Sequence, residues 1–403
     1  MTSAPRNILL LTLAALLLAA CVPPTEPDTP RRRISEPAEH FLRTLDLSEY
    51  DRGFDLQQLE DGGFIVAGRA WMRHTASIDV LLVRTDPEGA PLWYKTFGGV
   101  FKDEAYAVRQ TSDGGFIFTG NTESYTNGFN DVWLVKTDEN GSMQWSRSFG
   151  GSSYDSGQDV IECANGGYLV VGYTEMSISG NWYASLIRTD ELGNEIWSRV
   201  YGGGERDYGA SVIEMDDGGF VVTGSTATGG SGNSMLWLFK VAANGDLLWE
   251  HRLLKDIITG GYDITYTDNG LFGVVGYAFP RQQQRSNMLF VLIDASGDLI
   301  QEEILHHDAV GTGITAAPDG GFVLSGYTDS FGSEGSDIVL VKIGVDGNEQ
   351  WKRMIGGDRM DRAMSITTTS AGGYALTGTT RSFGSGREDM LLIKTDASGF
   401  YED

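Results

Sequence analysis

The sequence predicts an all-β fold: a seven-bladed β-propeller of four-stranded antiparallel blades, closed by the N-terminal strand. Three observations lead to this prediction. A glycine-rich motif returns seven times, each repeat contains four strand-like runs, and the last repeat lacks its fourth run. The 54 glycines and the lack of helical periodicity after residue 40 exclude a mainly helical chain.

The motif first occurs as DGGFIVAG from Asp61 to Gly68, and its copies follow at a nearly constant distance. The other six copies begin at Asp113, Asn165, Asp217, Asn269, Asp319 and Ala371. The spacing between starting residues is 52, except for one interval of 50. Such a period is typical of supersecondary units that stack and cover one another's apolar faces.

The second repeat illustrates how four strands arise. Residues 105–111 form an alternating run, and the turn SDGG returns the chain into FIFTG, which predicts a hairpin. After a variable loop, DVWLVKTD is almost continuously apolar and is typical of a strand buried on both faces. The turn ENG then reverses the chain into SMQWSRSFGG. Each repeat is therefore one small antiparallel sheet that its neighbours must cover.

The two ends of the chain predict ring closure. Phe41 lies 52 residues before Trp93, so residues 41–46 are in phase with the fourth strands of the repeats. The last repeat ends at DMLLIKTDASGFYED and has no fourth strand of its own. We therefore expect residues 41–403 to form one propeller in which the N-terminal strand completes the last blade.

Residues 1–20 have the features of an export signal. Arg6 precedes an apolar run from Ile8 to Ala20, which is too short to span a bilayer. Residues 21–40 contain five of the ten prolines and few large apolar side chains, which is typical of a flexible tether.

The end of this signal, Leu18-Ala19-Ala20-Cys21, resembles the lipobox of bacterial lipoproteins. The resemblance implies that Cys21 is the acylated first residue of the mature protein, carrying palmitate-type chains that hold it on a membrane. Val22, where an aspartate would imply retention in the inner membrane, favours the outer membrane if the host has one. A plain cleaved signal with an incidental cysteine is the alternative.

The repeat also resembles that of a known group of proteins. The unit DGG[FY]-x-x-x-G, followed by D-[VI]-x-L-[VIL]-[KR]-T-D-x-x-G-x-x-x-W and [FY]-G-G, is similar to repeats of bacterial secreted and lipid-anchored propeller proteins over residues 41–403. The architecture is similar to that of quinoprotein-like propeller lipoproteins. This resemblance implies the fold and a place in the cell envelope, and it implies no particular activity.

Composition and the absence of certain motifs exclude several classes of function. A net charge of −25 argues against nucleic acid as a partner, because phosphate binding needs clustered lysine and arginine. The sequence contains no nucleophile elbow, Ser-His-Asp pattern or phosphate-cradling loop. Cys163, the only other cysteine, cannot form the adjacent cysteine pair of quinone dehydrogenases. We therefore expect no cofactor and no metal, and favour a non-catalytic protein over an enzyme.

The predicted blades place the long loops and the Gly-Gly links between blades on one face, which is the expected binding face. Five inner strands begin with an aspartate: Asp51, Asp103, Asp155, Asp207 and Asp361. These carboxylates either ring the channel mouth, where they bind a cation or have raised pKa values, or cap the Gly-Gly turns.

Departures from the repeat are the second pointer to a site. The fifth repeat is two residues shorter, has Gln301 in place of tryptophan, and places Arg281 and Arg285 in its long loop. Trp71 and Trp182 belong to other long loops and are suited to stacking on a sugar, anchoring a protein or packing the loops.

Two functional hypotheses follow. The first is a membrane-anchored, non-catalytic binding or scaffold lipoprotein that presents its loop face to a protein partner in the cell envelope. The alternative is a carbohydrate-binding module or weak glycosidase that uses the rim carboxylates and loop aromatics, for which two opposed carboxyl groups would be needed. The expected partner is therefore an envelope protein or a glycan.

Overall fold

The computed structural model describes residues 39–401, apart from 127, 177–179, 204–205, 228–233, 254–256, 281–284, 307, 329–334 and 386. The signal, Cys21, the tether up to residue 38 and Arg281 lie outside the described residues. The regular elements of the described residues are β-strands. These residues contain no helix that is long and apolar enough to cross a membrane.

The first strand, β1, covers Phe41–Leu45. Blade 1 contains β2 (Asp51–Gln58), β3 (Phe64–Met72), β4 (Ser77–Thr85) and β5 (Pro91–Phe97). Blade 2 contains β6 (Asp103–Gln110), β7 (Phe116–Thr122), β8 (Asp131–Thr137) and β9 (Met143–Phe149). Blade 3 contains β10 (Asp155–Glu162), β11 (Tyr168–Glu175), β12 (Trp182–Thr189) and β13 (Glu195–Tyr201).

Blade 4 contains β14 (Tyr208–Glu214), β15 (Phe220–Ala227), β16 (Ser234–Val241) and β17 (Leu247–Leu253). Blade 5 contains β18 (Ile258–Tyr266), β19 (Phe272–Phe279), β20 (Asn287–Ile293) and β21 (Leu299–His306). Blade 6 contains β22 (Ala309–Ala316), β23 (Phe322–Thr328), β24 (Asp337–Ile343) and β25 (Glu349–Ile355). Blade 7 contains β26 (Asp361–Thr368), β27 (Tyr374–Thr380) and β28 (Asp389–Thr395).

Blade 7 takes its fourth strand from the start of the chain, so the predicted seven-bladed propeller and its closure are confirmed. The strand order in this sheet is β1-β28-β27-β26, and β1 runs antiparallel to β28 with Phe41 opposite Lys394. The first strand of each repeat is innermost, because β2, β6, β10, β14, β18, β22 and β26 contact one another around the axis. The pairing of β1 with β28 therefore closes the ring of blades.

Six of the seven outer strands pack one aromatic side chain against a turn of the next blade. Trp93 of β5 packs against Phe116 of blade 2, with ring centroids 5.9 Å apart, and lies beneath the turn at Gly141. Glycine is required at position 141 for two reasons. A Cβ there would lie 2.8 Å from the Trp93 ring, and the φ of this residue is +72°. Phe41 makes the equivalent contact with the turn at Gly89.

In the fourth strand of blade 5, a hydrogen bond replaces the aromatic contact with the next blade. Gln301 replaces the tryptophan, and its side-chain amide donates to the carbonyl oxygen of Gly347 at 3.1 Å. The loss of the tryptophan at this position is thus accommodated at the same blade junction, which accounts for it without a ligand.

The propeller has two unlike faces. Each inner strand runs towards an Asp-Gly-Gly type turn, and the third strand of each blade runs towards the turn before the outer strand, so both sets of short turns share one end, the tight-turn face. The long loops and the links between blades share the other end, the loop face. Because β1 is antiparallel to β28, Phe41 enters the propeller at the tight-turn face.

A repeated ion pair holds the tight-turn face. The buried ammonium group of Lys136 donates to Asp113 at 2.9 Å and to the carbonyl of Thr137 at 2.9 Å. Burial opposes ionisation of Asp113, but hydrogen bonds from Thr111 and Lys136 prevail and lower its pKa to about 2. The same pairing joins Arg84 to Asp61, Lys240 to Asp217 and Lys342 to Asp319.

Phe41→Ala tests the closure. The Phe41 side chain is 1% exposed, so we expect its truncation to lower the free energy of unfolding by about 3–5 kcal/mol, measured by chemical denaturation. Arg43→Ala removes an exposed side chain of the same strand that lies over the Phe41 ring at 5.4 Å, and it should lower the free energy of unfolding by less than about 1 kcal/mol. Equal, small effects at both positions would contradict closure by β1.

Candidate functional site

The five aspartates at or just before the start of an inner strand, here called the rim aspartates, are buried and cap turns: Asp51, Asp103, Asp155, Asp207 and Asp361. Asp103 accepts a hydrogen bond from the backbone N–H of Gly99 at 3.0 Å and from the Ser124 hydroxyl at 2.7 Å, and also binds the Thr122 hydroxyl. These bonds tie the link between blades 1 and 2 to the long loop of blade 2. Asp361 makes the equivalent bonds to Gly357, Ser382 and Thr380 in blade 7.

The remaining three follow the same principle. Asp155 and Asp207 accept the N–H groups of Gly151 and Gly203, each at 3.0 Å, and Asp51 accepts those of Leu47 and Ser48. All five residues are between 0% and 3% exposed, and none lines the axial cavity described below. Of the two interpretations of these carboxylates, the geometry supports capping of the links between blades.

A second aspartate lies beside four of these caps. Asp79 and Asp103 both approach Gly98, where a Cβ would lie 2.8 Å from an oxygen of each. Burial, followed by the charge of Asp103, raises the pKa of Asp79 to about 6, and His74 partly offsets this. Within the described part of the chain, Asp79 Oδ1 has no hydrogen-bond partner. The like-charge pairing is repeated by Asp131 with Asp155, Asp337 with Asp361 and Asp389 with Asp51.

Deeper in the channel, three other aspartates form a hydrogen-bonded belt with Arg109. Asp55, Asp159 and Asp263 lie on the inner strands of blades 1, 3 and 5, just past a register shift in each strand. Each accepts a backbone N–H from the following blade, from Val108 at 2.9 Å, Val212 at 3.0 Å and Ile314 at 2.9 Å respectively. The belt thus links neighbouring blades around the axis.

Arg109 and two serines link the belt aspartates to one another and to blade 7 through side-chain hydrogen bonds. The guanidinium donates to Asp55 and, at 2.9 Å, to Asp159, while Ser211 bridges Asp159 at 3.1 Å and Asp263 at 2.9 Å. Ser365 of blade 7 donates to Asp55 at 2.8 Å. Burial alone would lower the pKa of Arg109, but the two carboxylates raise it above its ordinary value. Burial and the charges of Asp159 and Asp55 raise the pKa of Asp263 to about 7.

The belt borders a cavity of about 600 Å³ on the propeller axis. Its wall combines the belt with Phe54, Tyr106, Tyr262 and Met364, and continues to Glu162 and Glu214. The carboxylates in this wall outnumber Arg109, so the channel is acidic at this level. Three or more histidine, cysteine, aspartate or glutamate side chains arranged to hold a metal ion are not found among the described residues.

The mouth of the channel on the loop face has the opposite charge. Glu104, only 2% exposed in its side chain, is shared by Arg69 and Lys102, and Glu388 is shared by Arg52 and Arg381. Burial by itself would raise the pKa of both glutamates, but these cations lower it. We call these six residues, with Arg362, the basic mouth. The guanidinium of Arg362 lies over the Tyr327 ring at 4.4 Å.

Beside the basic mouth lies an exposed apolar surface, the aromatic patch, on the loops of blades 2 and 3. It consists of Val100, Phe101, Tyr125, Phe129, Tyr154 and Met176, which are each 44–69% exposed. The Phe129 and Tyr154 rings stack with centroids 4.6 Å apart. Several exposed apolar and aromatic side chains on neighbouring loops are typical of interaction sites.

Hydrogen bonds that involve backbone groups fix the loops of the aromatic patch. Phe101 N–H donates to the Ser124 hydroxyl at 3.1 Å, and the Tyr125 hydroxyl donates to the Gly98 carbonyl at 2.8 Å. Glu175 N–H donates to the Tyr154 carbonyl at 2.9 Å. These bonds join both links between blades to the adjacent long loops, so the patch is a preformed surface.

The other sequence-predicted binding residues are spread over the loop face. Trp71 lines a separate pocket of about 250 Å³ with Leu47 and Tyr94 on blade 1. Trp182 stacks on Tyr173 with ring centroids 4.9 Å apart. Arg285 forms an ion pair with Asp308 at 2.9 Å. The structure does not bring these residues together with the rim aspartates into one site.

Sequence reasoning missed the belt and four of the six residues of the aromatic patch. Asp55, Asp159 and Asp263 are spaced by 104 residues, two repeats, so an alignment of alternate repeats would have revealed them. Val100 and Phe101 stand in the link GGVFKDE, where other links have polar residues, and this departure was the available signal. Tyr154 and Met176 give no comparable signal.

Comparison with known proteins identifies the fold and nothing finer. No protein-family profile matches the chain, and no curated protein matches it. Among solved structures, it is similar to virginiamycin B lyase from Staphylococcus aureus at 13% identity and a TM-score of 0.54, covering 88% of this chain and 99% of that one. These values establish a shared β-propeller only.

Two further similar structures are described as a peptidase and as a protein bound to a peptide. The acylaminoacyl peptidase of Pyrococcus horikoshii gives 10% identity and a TM-score of 0.51, over 87% of this chain and 53% of that chain. YCF48 bound to D1 peptide gives 10% identity and a TM-score of 0.50, over 90% and 98%. Function must therefore be argued from this chain's own residues.

Asp79→Asn tests the like-charge pair. The folded-state pKa of about 6 lies above the ordinary 3.8, so ionisation of Asp79 destabilises the folded protein as pH rises through 6. We expect the substitution to raise the free energy of unfolding by about 2 kcal/mol at pH 8 and to leave it nearly unchanged at pH 4. Asp103→Asn, which weakens a cap, should be destabilising at both pH values; a gain there instead would contradict the assignment.

Arg109→Gln tests the belt. It leaves Asp55 and Asp159 buried without their cation, so we expect a loss of about 3–5 kcal/mol in unfolding free energy at pH 8. The loss should shrink at pH 5, because burial raises the pKa of Asp159 and so favours its protonation, and in the double variant Arg109→Gln, Asp159→Asn. Arg199→Gln, on an exposed outer strand, is the matched control. An equal loss at both pH values would argue against a charge-based belt.

Proposed function

We propose that this protein is a non-catalytic binding lipoprotein of the cell envelope, anchored through Cys21, whose loop face docks a protein partner. The observation that carries the proposal is the aromatic patch: six apolar side chains lie exposed on one face, and hydrogen bonds fix the loops at Phe101, Tyr125 and Tyr154. Aromatic residues in such settings supply most of the binding energy of protein interfaces.

The carboxylates argue for binding rather than glycoside hydrolysis. A glycosidase needs an acid and a second carboxyl group exposed to substrate and opposed across the bond that is cleaved. The rim aspartates are buried and hydrogen-bonded to their own loops, and the belt aspartates hold neighbouring blades. The weak glycosidase alternative therefore loses the residues on which it depended.

The entry point of the chain fits an anchored protein that presents its loops. Phe41 begins the propeller at the tight-turn face, at the opposite end from the aromatic patch. A tether that joins the tight-turn face leaves the loop face free for a partner. The length between Cys21 and Phe41 corresponds to roughly 60 Å when extended, which is sufficient reach for a partner in the same membrane.

In-cell crosslinking of the full chain, followed by mass spectrometry of captured proteins, tests the proposal. We expect a stoichiometric partner that is lost in the double variant Phe101→Ser, Phe129→Ser, because both exposed rings leave the patch. Leu92→Ser, Ile196→Ser removes comparable exposed apolar side chains from outer strands and should keep the partner.

The anchor is tested in the same cells. Cys21→Ser should abolish incorporation of a labelled fatty acid and move the protein from the membrane fraction to the soluble fraction. Incorporation at an undiminished level in Cys21→Ser would contradict anchoring, and identical captured proteins from the patch and control variants would contradict docking on this face.

A further inference from the structure

The basic mouth and the aromatic patch meet at one segment of the chain. Phe101 belongs to the patch, and the next residue, Lys102, belongs to the basic mouth. The Lys102 carbonyl accepts the N–H of Glu123 at 2.9 Å, and Phe101 is bonded to Ser124 in the same loop. A ligand lying across this link would contact both surfaces at once.

The basic mouth is built to receive negative charge. Among the described residues of the mouth, Glu104 and Glu388 each serve two cations, so each of these three-residue groups keeps one positive charge in excess. The two outer cations reach solvent, with Lys102 40% and Arg381 48% exposed in their side chains. On a chain with a net charge of −25, this concentration of cations at the channel mouth contrasts with the acidic cavity below it.

The neighbouring patch favours a polypeptide over a sugar. Val100 and Met176 offer aliphatic surface without hydrogen-bonding groups, and Phe129 and Tyr154 each use one ring face to stack on the other. Apolar side chains of a protein pack well on such a surface, whereas sugars need free aromatic faces together with polar groups.

We infer that the basic mouth and the aromatic patch together bind a partner segment that carries carboxylate groups next to apolar side chains. This inference rests on the proposed function and names the chemistry of the partner. The apolar side chains cover the patch, and the carboxylates accept hydrogen bonds from Lys102, Arg381 and the arginines behind them. Electrostatic attraction at the mouth directs the segment and selects against basic partners.

The test uses the full chain in detergent and a fluorescent peptide of three Gly-Glu-Phe repeats, with a Gly-Gln-Phe version as the uncharged probe. Fluorescence anisotropy should show at least about tenfold tighter binding of the acidic peptide, and rising salt should weaken it. Lys102→Gln and Arg381→Gln should each reduce that affinity about tenfold and leave the uncharged peptide unaffected. In both variants the buried glutamate keeps its other cation, so the fold is retained.

Lys95→Gln, an exposed lysine on the outer strand β5, is the matched control and should bind the acidic peptide as the unaltered chain does. Equal affinity for the two peptides, or no effect of Lys102→Gln and Arg381→Gln, would overturn the inference. Displacement of the peptide by an oligogalacturonate at lower concentrations would assign the mouth to an acidic glycan, and displacement by inorganic phosphate would assign it to a small anion. Either result would also overturn the inference.

The two proposals fail separately. Docking on the loop face is contradicted when the Phe101→Ser, Phe129→Ser variant still captures the same proteins. The acidic character of the partner is contradicted when the mouth variants keep the peptide discrimination, even if the patch variant loses its captured protein.

Discussion

The packing of one outer-strand aromatic ring beneath the next blade's turn is the interaction on which the rest of the structure depends. Trp93 under Gly141 and Phe41 under Gly89 show why the repeat needs both a large ring and a glycine with positive φ. A four-stranded sheet cannot bury both faces alone, so each blade is stable only against its neighbours. The ring must therefore close, and β1 closes it by supplying both the missing strand and the missing aromatic side chain.

Closure around an axis brings seven inner strands together, and the structure uses buried carboxylates to join them. Asp103 and its counterparts fix the links between blades at the loop face, while Asp55, Asp159 and Asp263 accept N–H groups from following blades deeper in the channel. Buried charges are tolerated when they are paired and fully hydrogen-bonded. The acidic residues that first suggest chemistry are thus largely occupied in holding the blades, which moves attention to the loop face.

The tight-turn face and the loop face differ in how strongly the blade structure constrains their residues. Short turns at one end are held by repeated pairs such as Lys136 with Asp113, and they vary little between repeats. At the other end, buried aspartates such as Asp103 fix the links between blades, and the loop positions outside these caps can carry exposed rings such as Phe101 and Phe129. The similar solved structures include a lyase and a peptidase, so a shared propeller does not fix the activity.

The sequence by itself determined the blade number, the strands of each blade, the closure by residues 41–46 and the sharing of one face by long loops and links between blades. Periodicity fixes these features because each repeat encodes the same local structure. Only the tertiary structure decided that Asp51 and its counterparts cap turns, that Asp55, Asp159 and Asp263 form one belt, and that Phe101 and Phe129 belong to one surface. Those relations join residues from different blades, and side-chain direction and burial across blade junctions are set by packing rather than by spacing along the chain.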